Sequence, residues 1–322
     1  MSLNNDRPDS PFLVERLMRE ARRQMEDVEF ICEAEFRERL PSLVNDGLAA
    51  RRLETLKDNP EELAQEFAFE AYESGDGDIA LELVDKALLV DPDCVDALTV
   101  RAALTTKNSR ELVAALEYAI TCGEKRLGEK FFTEFKGDFW PMVEARPYMR
   151  TIKQLAEILW STGRRFDAVA HYEKLLDLDP DDHLGNSTLL LGHYLSMGEV
   201  QRSLDLLETI DDESGAVFNW ARVLLLLITG DEGAARDAAD HAMAANPHVA
   251  FMLVGMGQDS SEEYSPYIKT GSEEEALLCV EILGEAWERS GFAQMWLFRL
   301  MGDLGLVEKL DGEVGSGGAA AH

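Results

Sequence analysis

One spacing, met three times, constrains this chain more than anything else in it. GDGDIALELVDKALLVDP, LWSTGRRFDAVAHYEKLLDLDP and GDEGAARDAADHAMAANP each hold a glycine, an alanine five residues on and a proline twelve beyond that: Gly75, Ala80 and Pro92; Gly163, Ala168 and Pro180; Gly230, Ala235 and Pro247. A small residue stands seven positions before the glycine in two of them, Ala68 and Ala156, with Val223 in the third. Apolar residues recur at helical spacing on both sides of each glycine. The unit that fits these offsets is a pair of antiparallel helices. Glycine lets the chain leave the first helix through a left-handed turn. The alanine pair, for example Ala156 and Ala168, lets the two helices approach closely, and Tyr172 fills the space beside them. Pro180 ends the second helix and opens the next unit. No single helix pair can bury its apolar face alone, so such units stack.

Two weaker copies fill the gaps. In the unit starting at Val95, Ala102, Ala114 and Tyr118 fall on the equivalent positions, with Ser109 in the glycine slot and Arg126 in the proline slot. In the unit starting at Leu184, Gly198 is present, Ser203 replaces the alanine and Gly215 stands where the proline would be. Five units therefore begin near Glu61, Val95, Met149, Leu184 and Ala216. The pattern resembles the tetratricopeptide repeat, whose period is about 34 residues. The expected architecture is all-α, a solenoid of stacked antiparallel helix pairs with capping helices: a first repeat pair over 61–124 and three further repeats over 149–247.

The remaining segments break the period. Residues 1–10 read as a flexible tail and 11–60 as an N-terminal helical cap. Its amphipathic stretch places Leu13, Leu17, Ala21 and Met25 on one face. Arg16, Arg19, Arg22 and Arg23 make a local basic patch there, expected as a solvated helix face. A docking or oligomerisation helix is the sharper alternative. Residues 125–148 are an aromatic insertion with Phe131, Phe132, Phe135, Phe139, Trp140 and Tyr148. These rings are expected to plug the seam between the first two and last three units, the alternative being an exposed aromatic ligand site. Phe139-Trp140-Pro141 suggests a turn and RPYMR opens the next helix. Beyond Pro247, residues 248–310 form a C-terminal helical cap with Trp287 and Trp296, and 311–322 a flexible tail.

A closer resemblance rests on KRLGEKFF, GDFWPMVEARPYMR, LAEILWSTGRRFDAVAHYEKLLDLDPDDHLGN, NPHVAFML and TGSEEEA. These stretches look like a family of bacterial tetratricopeptide-repeat proteins related to the C-terminal part of the suppressor-of-tumorigenicity family. The likeness spans roughly residues 65–297, and its most specific part runs from RPYMR to GN. It implies an all-helical repeat fold and no catalytic residues.

The residues themselves carry little chemistry. HExxH, GxSxG and phosphate-loop patterns are absent; GDGD at 75–78 lacks the lysine-containing ending of such a loop. His171, Asp177, Asp181, Asp182 and His183 cluster in sequence but read as a solvated acidic loop rather than a metal site. Glu273, Glu274 and Glu275 read as helix-start carboxylates favouring the dipole. The chain is therefore expected to be no enzyme and to need no cofactor or metal. With 62 Asp and Glu against 31 Lys and Arg, a formal charge of -31, its surface repels nucleic acid and anionic membranes, and a basic partner is its natural complement. Cys32, Cys94, Cys122 and Cys279 form no CxxC and suit free, buried thiols in a cytoplasmic protein.

The expected function is an interaction scaffold that holds a peptide or helix in a concave groove lined by the first helix of each unit. Helical phase places Tyr72, Arg150, Lys153, Glu157, Trp160 and Trp220 there, with Glu62 and Phe69. Aromatic residues would anchor the ligand and charges select its register. The alternatives are an enzyme or an accessory subunit of one, suggested by the aromatic block and the loop at His183, and a self-assembling homo-oligomer.

Overall fold

Small polar side chains start six of the described helices. Asn59 accepts a hydrogen bond from the Glu62 amide, and Pro60 occupies the first turn, where a missing amide costs nothing. Asp76, Asn108, Asp231, Asn246 and Ser272 cap later helices in the same way. The computed structural model describes residues 10–25, 56, 58–210, 215–257 and 268–307. Among the described residues there are fourteen helices and no strand. None of these helices is long and apolar enough to cross a membrane. Residues 1–9, 26–55 with Cys32, 57, 211–214, 258–267 and 308–322 lie outside the described residues, and with them all of the expected terminal tails except Ser10.

The chain divides into two compact units, residues 1–184 and 185–322. The first holds α1 (Leu13–Met25), α2 (Pro60–Glu73), α3 (Gly77–Val90), α4 (Val95–Thr105), α5 (Ser109–Glu134), α6 (Arg146–Ser161) and α7 (Arg165–Leu178). Within it, α2–α3, α4–α5 and α6–α7 pack as neighbouring pairs, and the first helices α2, α4 and α6 lie side by side in that order. The second unit holds α8 (Asn186–Met197), α9 (Val200–Glu208), α10 (Ala216–Thr229), α11 (Glu232–Ala245), α12 (Pro247–Leu253), α13 (Glu273–Arg289) and α14 (Gly291–Asp303). Its pairs are α8–α9 and α10–α11.

The repeated offsets map onto these pairs with two corrections. At Gly163 (φ 82°), the Gly163 amide bonds to the Trp160 carbonyl and the Arg164 amide to that of Leu159, which closes the end of α6. Gly198 and Gly230 close α8 and α10 in the same manner. Gly75 does not take the left-handed conformation expected of it. There the Ser74 hydroxyl accepts from the Asp76 amide, and Asp76 caps the next helix, so side chains do the work of the turn.

The second correction concerns the degenerate unit at Val95. Helix α4 stops at Thr105, and α5 starts at Ser109, two residues earlier than the offsets predict. Ala114 and Tyr118 consequently turn to solvent, Tyr118 being 55% exposed. Leu116 instead takes the slot that Tyr172 fills in its pair, and both are buried.

The aromatic insertion begins as helix. Helix α5 runs on to Glu134 through a break at Gly128 (φ 74°, ψ 158°) and so carries Phe131 and Phe132 beyond the length of the other second helices. Their rings meet Phe139 at 5.3 and 5.1 Å, and Phe132 also meets Tyr148 edge-on at 5.5 Å. Phe139 and Tyr148 are fully buried, and the Phe139 amide bonds to the Leu178 carbonyl at the end of α7. Residues 139–141 form the expected turn, and α6 starts at Arg146. Tyr148 donates to Glu124 at 2.9 Å, and burial with that carboxylate raises its pKa.

In the second unit α13 lies along α8 and α10, rather than simply extending the row beyond Pro247. The approach to α8 is close: a Cβ on Gly192 would come within 2.5 Å of the Ile282 carbonyl oxygen. Trp220 of α10 and Trp287 of α13 meet at 5.9 Å, both with no exposed surface. Glu275 ties the unit together further, accepting from the Gly271 amide, the Asn246 side chain and the Ala216 amide.

Two outcomes test this packing. Gly192→Ala should destabilise the protein by about 1–3 kcal/mol in urea unfolding, because the added methyl meets backbone rather than a side chain that can swing away. Burial pushes the Cys94 thiol up to about 12 and raises that of Cys279 as well, leaving both protonated near neutrality. Mass spectrometry after iodoacetamide treatment at about pH 8 should find both unmodified in the native protein and both alkylated in denaturant.

Candidate functional site

The face formed by α2, α4 and α6 is built around a buried carboxylate. Asp96, in the first turn of α4, has no exposed surface. It accepts from the Gln65 amide of α2 at 2.6 Å and from the Arg150 guanidinium of α6, with the Tyr72 hydroxyl 3.5 Å away. One turn on, the hydroxyls of Thr99 and Thr151 pair at 2.7 Å between α4 and α6. A carboxylate so placed needs cationic and hydrogen-bonding partners, because an unpaired buried charge is strongly disfavoured. Arg150 answers that need, and the two carboxylates around it raise its pKa against the opposing effect of burial.

The second of those carboxylates comes from α1. Glu15 meets Arg150 at 2.6 Å, so the N-terminal helix lies on the same face. Arg16 bonds to Glu66 at 2.9 Å and to Glu73 at 2.6 Å. Arg19 reaches Glu62 at 2.9 Å and the Val143 carbonyl at 2.8 Å. Just ahead of α1, Phe12 stacks on Phe69 with ring centroids 4.6 Å apart and leans on Tyr72 at 5.4 Å. The guanidiniums of Arg16 and Arg150 sit 5.1 and 5.9 Å from the centroid of the same Phe69 ring.

These contacts correct the expectation of a solvated basic face. Arg16 keeps only 3% of its side chain exposed and Arg19 10%, whereas Arg22, at 54%, reaches Glu144 from the outside. The arginines at 16, 19, 22 and 23 had shown the basic patch, but the partners on α2 that cover Arg16 and Arg19, Glu66 and Glu62, lie more than forty positions away in sequence. Asp96 and Gln65 also escaped the sequence reading. An aspartate in the first turn of a helix looks like ordinary helix-start chemistry, although its apolar neighbours Val95, Ala97 and Leu98 were a sign that it would be drawn inside.

The expected groove residues separate into three groups. Tyr72, Arg150, Glu62 and Phe69 come together on the face just described, but Phe69 is buried and Arg150 and Glu62 are engaged by α1. Lys153, Glu157 and Trp160 continue along α6. Lys153 donates to the Leu184 carbonyl at 2.6 Å, the Trp160 ring carries the Arg165 guanidinium at 4.7 Å, and partial burial raises the pKa of Glu157, which Lys153 opposes. Trp220 belongs to the second unit, and as a groove residue it is overturned: α13 covers it, with Trp287 against its ring.

The loop at His183 is organised by its own residues. Asp179 accepts from the His183 amide and meets its imidazole at 2.9 Å, and the imidazole stacks on Trp140. Among the described residues, no group of three or more histidine, cysteine or acidic side chains is arranged to hold a metal ion. No protein-family model matches this chain, and no curated protein matches it either.

Arg150→Ala should lower stability by about 3–5 kcal/mol, since it strands Asp96 without its cation. Arg150→Lys, which keeps the charge but cannot span Asp96 and Glu15 with a planar fork, should fall between the two. Urea unfolding followed by circular dichroism measures both.

Proposed function

We propose that this chain is a non-enzymatic interaction scaffold of tetratricopeptide-repeat type, of the bacterial family its sequence resembles, and that it binds a helix or peptide of a protein partner. The binding surface is the face of α2, α4 and α6. One observation carries this reading: that face accommodates a helix, because α1 lies on it with an aromatic anchor in contact with Phe69 and Tyr72 and with arginines engaging Glu62, Glu66 and Glu73. Aromatic anchors with charged neighbours that fix register are the usual means by which a groove holds a helix. The acidic composition of the chain adds long-range attraction for a basic partner. Cys94, Cys122 and Cys279 are unpaired, which suits a reducing compartment.

The test is affinity capture from a lysate of the source organism with the whole chain and with Tyr72→Ala/Glu73→Lys, two changes at the more accessible part of the face. The reading expects at least one partner, identified by mass spectrometry, to fall by roughly tenfold or more with the double variant. If the variant is folded by circular dichroism and still retains every partner, this face is not the binding surface.

A further inference from the structure

We infer that α1 is an internal stand-in for the partner: a displaceable strap that keeps the face of α2, α4 and α6 closed until a helix of matching chemistry replaces it. The inference rests on the scaffold reading above and names the ligand class. It comes from comparing α1 with α13, since each covers first helices within its own unit but by different physics. Helix α13 approaches α8 at backbone distance through Gly192 and buries Trp287, Leu283, Cys279 and Ala276 completely. Such a cover is continuous with the core. Among the described side chains of α1, no apolar one is sunk so deeply. Leu13, Leu17 and Met18 are half-buried, and Val14 is 65% exposed. The described contacts that hold it are made by the tips of long side chains and by the Phe12 ring, and most of the groups they touch can be solvated when it leaves.

The strap also describes what should replace it. Phe12, Glu15, Arg16 and Arg19 stand at i, i+3, i+4 and i+7, which is one side of a helix. Against them lie Phe69 and Tyr72 for the ring, Arg150 for the glutamate, Glu66 and Glu73 for the first arginine and Glu62 for the second. Without α1 the face keeps the carboxylates of Glu62, Glu66, Glu73 and Asp96 against the guanidiniums of Arg150 and Arg146, an excess of negative charge. A cationic ligand is therefore required, and arginine rather than lysine suits the two-carboxylate site at Arg16. The occupant we assign is a segment of another protein that presents an aromatic residue and two arginines, four and seven positions later, on one face of a helix.

A fluorescent peptide of residues 10–25, SPFLVERLMREARRQM, tests this by anisotropy against the wild-type chain and against Phe12→Ala/Arg16→Ala in the full chain. The peptide should bind the variant at least about tenfold more tightly than the wild type, because the competing internal helix has been weakened. The same peptide carrying Phe12→Ala and Arg16→Ala should lose that gain. Hydrogen exchange on the wild type and light scattering on both proteins accompany the titration. Should α1 amides exchange as slowly as those of α2, α4 and α6, the face does not open, and the scaffold reading falls together with the strap. If α1 exchanges quickly but the folded variant gains no affinity, the strap is overturned while the scaffold reading stands. A concentration-dependent dimer that the peptide dissociates would make a second copy the occupant and overturn the assignment to another protein.

Discussion

The first unit depends on one buried carboxylate. Asp96 draws Gln65 from one side and Arg150 from the other, so the lateral packing of α2, α4 and α6 is tied to the need to neutralise a charge that has no access to water. Packing of aliphatic side chains alone would tolerate sliding between neighbouring helices; a hydrogen-bonded ion pair with fixed geometry does not. Arg150 is then left with donors to spare, and Glu15 takes them. The position of α1 on the face is thus a consequence of how the pairs are joined beneath it.

Much of the helix-pair organisation could be read from the sequence because its ends are punctuated by residues with few conformational options. Gly163 and Gly230 fit left-handed turns, and Asn59, Asp76 and Asp231 cap the helices that follow. The unit at Val95 has neither the glycine nor the proline, and without them a two-residue shortening of its turn left no trace in the offsets; Tyr118 was placed inside when Leu116 belongs there. The candidate site was legible only in part. Helical phase put Tyr72 and Arg150 on one face, where both meet Asp96, because phase is a local property. What lies on top of a face is not local. Nothing near Trp220 announced Trp287, and nothing near Arg16 announced Glu66.

Both units place another helix on their first helices, yet the covers differ in kind. Over α8 and α10, bulky rings and a missing Cβ give a cover whose removal would expose a contiguous apolar surface, including Trp220, Leu224 and Leu191. Over α2, α4 and α6, the described partners of α1 are mainly carboxylates and two rings, surfaces that water accepts at modest cost. An apolar surface left open would invite indiscriminate association, and a carboxylate-lined one does so far less.

The same contrast means that the covers of the two units answer to different kinds of dissolved salt. Mobile ions screen exposed charges far more than buried ones, so ordinary chloride at rising ionic strength weakens the outer pair of Arg22 with Glu144, while Arg16, with 3% of its side chain exposed, keeps hold of Glu66. Strongly hydrated anions such as sulfate are excluded from protein surface and reinforce apolar contact, so they tighten the seam between Trp220 and Trp287. Ionic composition therefore reaches the rim of the first unit's cover and the apolar seam of the second by separate physical routes.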